Sequence, residues 1–229
     1  MIDVLEELLR KIRPYEIVKG SANEAFEKAM DQVVEGLEKR GVSGARKGFE
    51  KAIDIMKNVE YDRSVLKPRV LIVGEYLLNF HPGANHDIED YLEKNGFEVI
   101  EARMADVIQK TYFYQYAQIR EYHIKKPATQ KVWLHTANQM FRFAHHITDS
   151  IACRHPLYQP AATIEDLAKE SDPVIQHTFD AGEGILIPGE ILHYAKEGCR
   201  AFVILQPFGC LPNHVVGRGI CKKLKEMYP

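Results

Sequence analysis

The first quarter of the chain has the spacing of apolar residues that is typical of helices. Apolar residues recur every three or four positions over Val4–Ile12. A second helix is predicted from Ser21, because Ser21 followed by Glu24 is a capping-box pattern at the start of an apolar face. Gly41 and its small neighbours break this face, and a third helix is predicted over residues 45–58.

The pattern changes at Pro68. The run RVLIVGEYL (69–77) contains no alternation of polar residues, which favours a strand buried on both faces of a parallel sheet. A predicted helix closed by Gly96 and a second strand over 97–102 complete a β-α-β unit. We therefore predict an N-terminal helical segment over residues 1–66 and a mainly parallel α/β domain over 67–229.

The second half of this domain repeats the mixture of helix and strand. Pro127 separates two aromatic-rich helices, and Thr163 is a candidate cap for a short helix that follows. AFVILQP (201–207) is the clearest further strand, FGCLPNHVVGRG (208–219) is predicted as a turn, and a terminal helix begins after it. A doubly wound sheet normally continues beyond this point, so we expect the sheet to be incomplete at its C-terminal edge or completed by another chain.

Charge and composition exclude several classes of protein. Thirty basic and 32 acidic residues give a net charge of −2, which argues against a dedicated nucleic-acid binder. Four cysteines are too few for a disulfide scaffold. No apolar run approaches the roughly 20 residues that a membrane helix needs, and acidic residues interrupt the N-terminal segment where a signal peptide would be apolar. We expect a cytoplasmic protein without a membrane partner.

Cys210 is the main candidate for chemistry. It lies three residues after the predicted strand 201–207, in a loop that contains Pro207, Gly209 and Pro212. Ligands of open α/β sheets bind outside the carboxyl ends of the strands, so a functional thiolate is expected there. The alternative is a buried turn cysteine that acts as a small apolar residue.

Glu75 and Tyr76 occupy the corresponding position after the first strand, directly following Gly74. A carboxylate at this point can act in acid–base chemistry or bind a ligand. It can equally cap a helix or brace a loop. The residues leave both alternatives open.

The other cysteines give weaker signals. Cys153 precedes Arg154 and His155, whose charges would activate a thiol if they lay close to it, and a metal-ligand role is open. Cys199 and Cys221 are expected to be packing residues.

Four segments together resemble a known family. They are RPYEIVKG (13–20), KPRVLIVGEYLLNFHPGANHDIEDYLEKNGFEVI (67–100), GEGILIPGEI (182–191) and AFVILQPFGCLPNHVVGRG (201–219). They are similar to the large proteins related to 2-hydroxyacyl-CoA dehydratases and their activases, in particular to the C-terminal, dehydratase-like part of the activase-related proteins of anaerobic bacteria. The resemblance spans nearly the whole chain.

The resemblance implies a Rossmann-like or flavodoxin-like fold and a [4Fe-4S] cluster that takes part in low-potential electron transfer. In that family, an ATP-hydrolysing activase reduces the cluster of the dehydratase, and the cluster passes an electron to the acyl-CoA thioester. Cys210 matches the cysteine of the family motif PFGC and is expected to be a cluster ligand. Cys153 is a weaker candidate for a second ligand, and Glu75 and Tyr76 match the GE loop without an assigned step.

The chain departs from the complete pattern in its ligands. A cubane cluster generally has four ligands, and two cysteines cannot hold it alone. We expect the cluster to be absent from the isolated chain, which would be a fragment or a truncated relative. The implied partners are the other dehydratase-like half or an ATPase activase domain, with an acyl-CoA as ligand, and a homo-oligomer is left open.

Two other functions compete with this one. The α/β domain could be a binding or assembly module without a cluster, because a fold does not dictate a function. A hydrolase that pairs Cys210 with His214 is the third alternative, because the two residues are four positions apart.

Overall fold

A computed structural model describes residues 1–179 and 181–228. The chain divides into two compact units. The first contains residues 1–67, 96–98 and 143–161, and the second contains the remaining described residues. The predicted helical segment 1–66 is therefore joined in its unit by two later stretches of the chain.

The first unit is built on helix α1 (Ile2–Ile12) and helix α2 (Ser21–Lys57), with a 3-10 turn at Arg13–Tyr15 between them. The apolar face predicted for α1 is buried against α2, and Leu5, Leu8 and Phe49 are each 0% exposed. Burial of side chains of this size gives about 1.5–3 kcal/mol each, so this face holds the two helices together.

Helix α2 contains the break that the sequence predicts. Arg40 and Gly41 have non-helical backbone angles, and Gly41 adopts φ +60°. The two parts of α2 then approach closely enough that a Cβ on Gly36 would lie 2.3 Å from the carbonyl oxygen of Gly44. Glycine is required at this contact because no side chain fits between the backbones.

A polar contact ties residues 96–98 into the first unit. The hydroxyl of Tyr15 donates a 2.7 Å hydrogen bond to Glu98, which is only 4% exposed, and the guanidinium of Arg63 lies 2.7 Å from the same carboxylate oxygen. The guanidinium also lies 4.1 Å from the centre of the Tyr15 ring. Burial and the bond to Glu98 raise the pKa of Tyr15.

The second unit is organised around a three-stranded parallel sheet, which confirms the mixed α/β class. The strands are β1 (Arg69–Gly74), β2 (Glu98–Glu101) and β3 (Ala201–Leu205), in the order β2-β1-β3, and all but Glu98 of their residues belong to the second unit. Val70–Val73 are buried on both faces of the central strand, as the uninterrupted apolar run predicts.

The remaining helices agree with most of the sequence predictions. They are α3 (Tyr76–Phe80), α4 (Pro82–Asn85), α5 (Ile88–Lys94), α6 (Met104–Glu121), α7 (Ala128–Ala152), α8 (Ile164–Ser171), α9 (Leu186–Lys196), α10 (Leu211–Asn213) and α11 (Cys221–Met227). Pro127 does lie between α6 and α7, and Thr163 caps α8 in a complete capping box. Within the described part of the chain, no helix is both long and apolar enough to cross a membrane.

Candidate functional site

The loops that follow β1 and β3 begin side by side. Gly74, the last residue of β1, is in register with Leu205, the last residue of β3. The backbone N–H of Glu75 donates a 2.9 Å hydrogen bond to the carbonyl of Leu205. The carboxyl ends of these two parallel strands therefore meet at one edge, where α/β proteins place their ligands.

Gly74 allows the ends of β1 and β3 to approach this closely, because it has no side chain. Its φ of +143° lies in the region that favours glycine, and a Cβ at this position would lie 2.0 Å from the carbonyl oxygen of Leu205. Any side chain here would push the two strand ends apart. The glycine at the end of the first apolar run thus positions the loop of Glu75 against the loop of Cys210.

Cys210 lies five residues beyond Leu205 and is half-buried. Its sulfur accepts a 3.2 Å hydrogen bond from the side-chain amide of Asn213, which is 0% exposed. The same amide nitrogen donates a 2.7 Å hydrogen bond to the carboxylate of Glu183. Because an amide NH₂ group has two hydrogens, it can serve both partners at once.

The prediction of a turn over 208–219 is wrong. Residues 211–213 form the short helix α10, and His214–Gly219 form a π-helical turn that leads into α11. Pro212 lies in the first turn of α10, where the missing N–H of proline costs no hydrogen bond. The helical backbone places Asn213 one turn after Cys210, on the side that reaches its sulfur.

Glu183 is a buried carboxylate next to this thiol. It is 4% exposed, and burial raises the pKa of its carboxyl above the ordinary value. The negative charge of Glu75 raises it further, while the positive charge of Lys110 lowers it. The hydrogen bond from Asn213 compensates part of the cost of removing this group from water.

Lys110 supplies a positive charge to the same site. It is only 6% exposed, and its Nζ donates a 2.6 Å hydrogen bond to the hydroxyl of Tyr76 and another bond to the carbonyl of Gly182. The ammonium group also lies 5.1 Å from the centre of the Tyr76 ring and 5.6 Å from that of Tyr114. Two aromatic faces and two oxygen acceptors therefore hold this buried cation.

The loop that carries Glu183 is fixed by Tyr114. The Tyr114 hydroxyl accepts a 2.8 Å hydrogen bond from the backbone N–H of Ile185. Gly184 has φ +53°, and a Cβ on it would lie 1.8 Å from that hydroxyl. The glycine lets the loop close over the tyrosine, which holds Glu183 in one position.

Glu75 takes the capping role that the sequence left open. Its side chain accepts a 3.1 Å hydrogen bond from the backbone N–H of Leu78 and caps α3. Tyr76 lies in the Lys110 network, so the two residues of the GE loop differ in their contacts. Both remain at the edge of the sheet where Cys210 lies.

Cys153 lies in the first unit, whereas Cys210 lies in the second. Cys153 is exposed, and its backbone N–H donates to the carbonyl of Asp149 at the end of α7. His155, which the sequence suggests as an activating neighbour of Cys153, is buried, and burial lowers the pKa of its imidazole. Its Nδ1 accepts a 3.2 Å hydrogen bond from the N–H of Leu157.

The two remaining cysteines have local contacts. Cys199 is 1% exposed, its sulfur lies 3.4 Å from the carbonyl oxygens of Arg69 and Ala201, and burial raises the pKa of its thiol. Cys221 donates to the carbonyl of Gly217 at 3.1 Å. In both cases the thiol is a donor to the backbone, as expected for packing residues.

The contacts of His214 do not support a Cys–His hydrolase. The His214 ring contacts the side-chain amide of Gln206 and the backbone carbonyl of Cys210, at 2.9 Å for the latter. The hydrogen bond to the Cys210 sulfur comes from Asn213 instead. An amide cannot act as the general base that a cysteine nucleophile needs.

A cluster does not fit the donors of this chain alone. At the carboxyl edge of the sheet, Cys210 is the one thiol among the described residues. Nowhere in residues 1–179 and 181–228 do three or more His, Cys, Asp or Glu side chains group so that they could hold a metal ion. An iron–sulfur cubane would need further ligands from outside these residues.

Exposed apolar residues flank the thiol. Phe208 is 104% exposed and Leu211 is 74% exposed, on either side of Cys210 in the chain. Large apolar residues of this exposure cost free energy in water and mark interaction surfaces when they cluster. Cys210 therefore lies between two side chains that are suited to contact with another molecule.

The sequence predicts Cys210 at the carboxyl edge of the sheet, but it does not predict the residues that surround the thiol. Lys110 stands in the helical segment VIQKTYFY, where a single lysine among aromatic residues was the only signal. Glu183 lies between Gly182 and Gly184, and two glycines so close together are typical of a tight loop. Asn213 lies in the segment that the sequence predicts as a turn, so its approach to the Cys210 sulfur does not follow from the sequence.

Three comparisons with known proteins identify no relative of this chain. A scan against protein-family models, a search of curated proteins and a search of solved structures return no significant match to the chain.

Proposed function

We propose that the second unit supplies one thiolate ligand, Cys210, to a [4Fe-4S] cluster that is shared with another polypeptide. The protein would then be part of a low-potential electron-transfer system of the 2-hydroxyacyl-CoA dehydratase and activase type. The observation that carries the proposal is the hydrogen bond from the buried amide of Asn213 to the Cys210 sulfur. The cluster would supply one-electron transfer when bound.

The direction of this hydrogen bond distinguishes Cys210 from the packing cysteines. Cys199 and Cys221 lie within hydrogen-bond distance of backbone carbonyls, which are acceptors and suit a neutral thiol. Cys210 instead receives a donor. N–H donors to sulfur stabilise a thiolate and tune the potential of metal centres, so this contact supports a ligand role.

The charges behind the sulfur support the same role. Glu183 orients Asn213, and Lys110 partly offsets the negative charge of Glu183. These three residues are buried and fixed by hydrogen bonds, so they can hold the sulfur in one position. They act as positioning residues, because none of them would bind iron itself.

The exposed residues beside Cys210 support a ligand set completed by a partner. Phe208 and Leu211 would become buried when a second polypeptide covers the thiol and contributes the other ligands. The other dehydratase-like half or an ATPase activase domain would be that polypeptide. An acyl-CoA would be the ligand of the complete assembly.

The sheet supports the finer fold assignment. The order β2-β1-β3 is the order in which a flavodoxin-like sheet begins, with the site at the carboxyl ends of the strands. We propose this topology for the second unit. The glycine-dependent contact between Gly74 and Leu205 would then mark the edge at which the cluster binds.

Anaerobic reconstitution tests the ligand role. The full chain is incubated with iron, sulfide and excess 2-mercaptoethanol, so that the small thiol can occupy the ligand positions that the chain lacks. We expect about four iron atoms per chain and the broad visible absorption of a thiolate-bound cluster. The Cys210→Ala variant should bind no iron, while the matched Cys221→Ala variant should bind as much as the original chain.

Retention of iron by Cys210→Ala, or no iron on the original chain, contradicts the proposal. The second candidate is an assembly module without a cluster, which the exposed Phe208 and Leu211 also favour. It predicts that the chain stays free of iron and that Phe208→Ser weakens its capture of the partner. Reconstitution and capture together separate the two candidates.

A further inference from the structure

Strand β3 lies at an edge of the sheet but has the sequence of a central strand. Its residues are AFVIL (201–205), and it pairs with β1 along one side. In the described part of the chain, no strand pairs with its other side. Natural edge strands are protected by charges, prolines or bulges, and β3 contains neither a charge nor a proline.

The exposure of β3 differs from that of its neighbour. Val70–Val73 in β1 are each at most 1% exposed, whereas all five residues of β3 are only partly buried. An uninterrupted apolar strand is normally covered on both faces. The open edge thus leaves both backbone groups and apolar side chains of β3 available.

A groove of about 540 Å³ runs beside β3. Phe202 and Ile204, which alternate along the strand and so share a face, form one side of it. The remaining apolar lining comes mainly from two helices, α9 with Ile191 and Ala195 and α11 with Leu224. The groove could receive every second side chain of a strand laid along the β3 edge.

The groove also carries two positive charges. Arg200 and Lys225 line it, and both residues are exposed. Among the described residues, neither of the two has an ion-pair partner, and no carboxylate lines the groove. A ligand with acidic groups at its ends would therefore complement this surface.

We propose that the open edge of β3 and its groove bind an extended strand of another polypeptide, with alternating apolar residues and flanking acidic residues. A strand fits better than a small apolar molecule, because only a peptide backbone can pair with the hydrogen-bonding groups of the β3 edge. This docking surface is distinct from the Cys210 site. It would serve assembly whether or not a cluster binds.

A synthetic peptide tests this proposal. The probe is acetyl-Glu-Val-Thr-Val-Thr-Ile-Asp-amide, and its binding to the full chain is measured by calorimetry and by amide hydrogen exchange. Two control peptides are used, one N-methylated at alternate backbone nitrogens and one with lysine in place of both acidic residues. The Arg200→Glu/Lys225→Glu variant serves as the charge control.

We expect the acidic peptide to bind and to protect residues 201–205 from exchange. The N-methylated peptide should not bind, because it cannot form the strand ladder. The lysine peptide should bind at least about fivefold more weakly, and the double variant should reverse that preference.

Three results with the peptides would overturn the proposal. They are absence of binding at millimolar peptide, equal binding of the N-methylated peptide, and displacement of the peptide by laurate, added as a small apolar competitor, with no protection of β3. A concentration-dependent dimer that protects β3 without any peptide would also overturn it, because the occupant would then be a second copy. Reconstitution of iron at Cys210 tests the proposed function separately from all of these results.

Discussion

Asn213 donates a hydrogen bond of 3.2 Å to the sulfur of Cys210, from a side chain that is 0% exposed. The amide has no freedom to turn away, because its nitrogen also binds Glu183 at 2.7 Å. The sulfur therefore lies in a fixed polar environment at the edge of the sheet. The first two predictions concern this contact.

Replacing Asn213 should destabilise the protein. Asn213→Ala removes the side-chain donor to the buried carboxylate of Glu183, so we expect the free energy of unfolding to fall by about 1–3 kcal/mol. Urea unfolding measures this change. The exposed neighbour His214 provides the matched control, since His214→Ala should change stability by less than about 0.5 kcal/mol. Equal effects of the two variants would mean that the buried network contributes no stability.

The same substitution should lower the reduction potential of a reconstituted cluster. An N–H donor to a cysteine ligand stabilises the reduced state, which carries more negative charge on sulfur. Asn213→Ala should therefore keep its iron while the potential becomes more negative, as measured by redox titration followed by electron paramagnetic resonance. An unchanged potential would show that Asn213 only supports the fold.

Gly74→Ala should disrupt the edge where the site lies. The added Cβ would lie 2.0 Å from the carbonyl oxygen of Leu205, so the ends of β1 and β3 must separate. We expect a loss of about 3 kcal/mol or more in the free energy of unfolding. Gly198→Ala is the control, because Gly198 also has a positive φ (+87°) but no atom within 4 Å of the added Cβ. It should cost about 1 kcal/mol.

Glu190 should make stability depend on pH. Burial, together with the charges of Asp106 and Glu101, raises the pKa of its carboxyl well above 4.5 in the folded protein. The unfolded chain loses this proton at lower pH than the folded one, so stability falls as pH rises above 4.5 and levels off above the folded pKa. Glu190→Gln should remove this loss and be more stable than the original chain at pH 8.

The two proteins should converge in stability as the pH falls below 4.5, where the carboxyl is protonated in both states. Thermal unfolding at a series of pH values measures the difference. Glu226→Gln, at an exposed position, should follow the original chain throughout. A Glu190→Gln variant with the same pH profile as the original chain would contradict a raised pKa at this carboxyl.

His155 should lower the stability of the protein as pH falls, whereas Glu190 lowers it as pH rises. Burial lowers its pKa below the ordinary 6.5 in the folded protein. As pH falls, the imidazole therefore binds a proton in the unfolded chain before it does so in the folded protein. The free energy of unfolding is unaffected by this above pH 6.5 and declines between 6.5 and the lower pKa of the folded protein. His155→Asn should flatten this decline, whatever its effect on stability at neutral pH. His86→Asn, at an exposed position, should retain it.

Local pattern was enough to predict most of the elements. The apolar run of β1, Pro127 between two helices and the Thr163 cap each depend on neighbouring residues, and each is confirmed. The turn predicted over 208–219 failed because proline and glycine were interpreted as helix breakers. Pro212 instead stands in the first turn of a helix, and Gly217 accommodates the side chain of Ile204, which would lie 3.1 Å from an added Cβ.

The partners of Cys210 could not be predicted because they come from distant parts of the sequence. Lys110 binds the carbonyl of Gly182, 72 positions away, and Glu183 is 30 positions from Asn213. A buried lysine is identified only when the fold shows which rings and oxygens surround it. The position of Cys210 at the end of a strand was predictable, because that depends on the strand alone.

The discontinuous first unit has a consequence for synthesis of the chain. α1 and α2 are synthesised well before Ile151, Ala152 and Tyr158, yet these three residues form part of their apolar core. Part of the apolar face of the helical pair therefore stays uncovered until synthesis has passed Tyr158. A nascent chain halted before that point would expose this face to chaperones, and a fragment cut after Lys67 would aggregate more readily than the full chain.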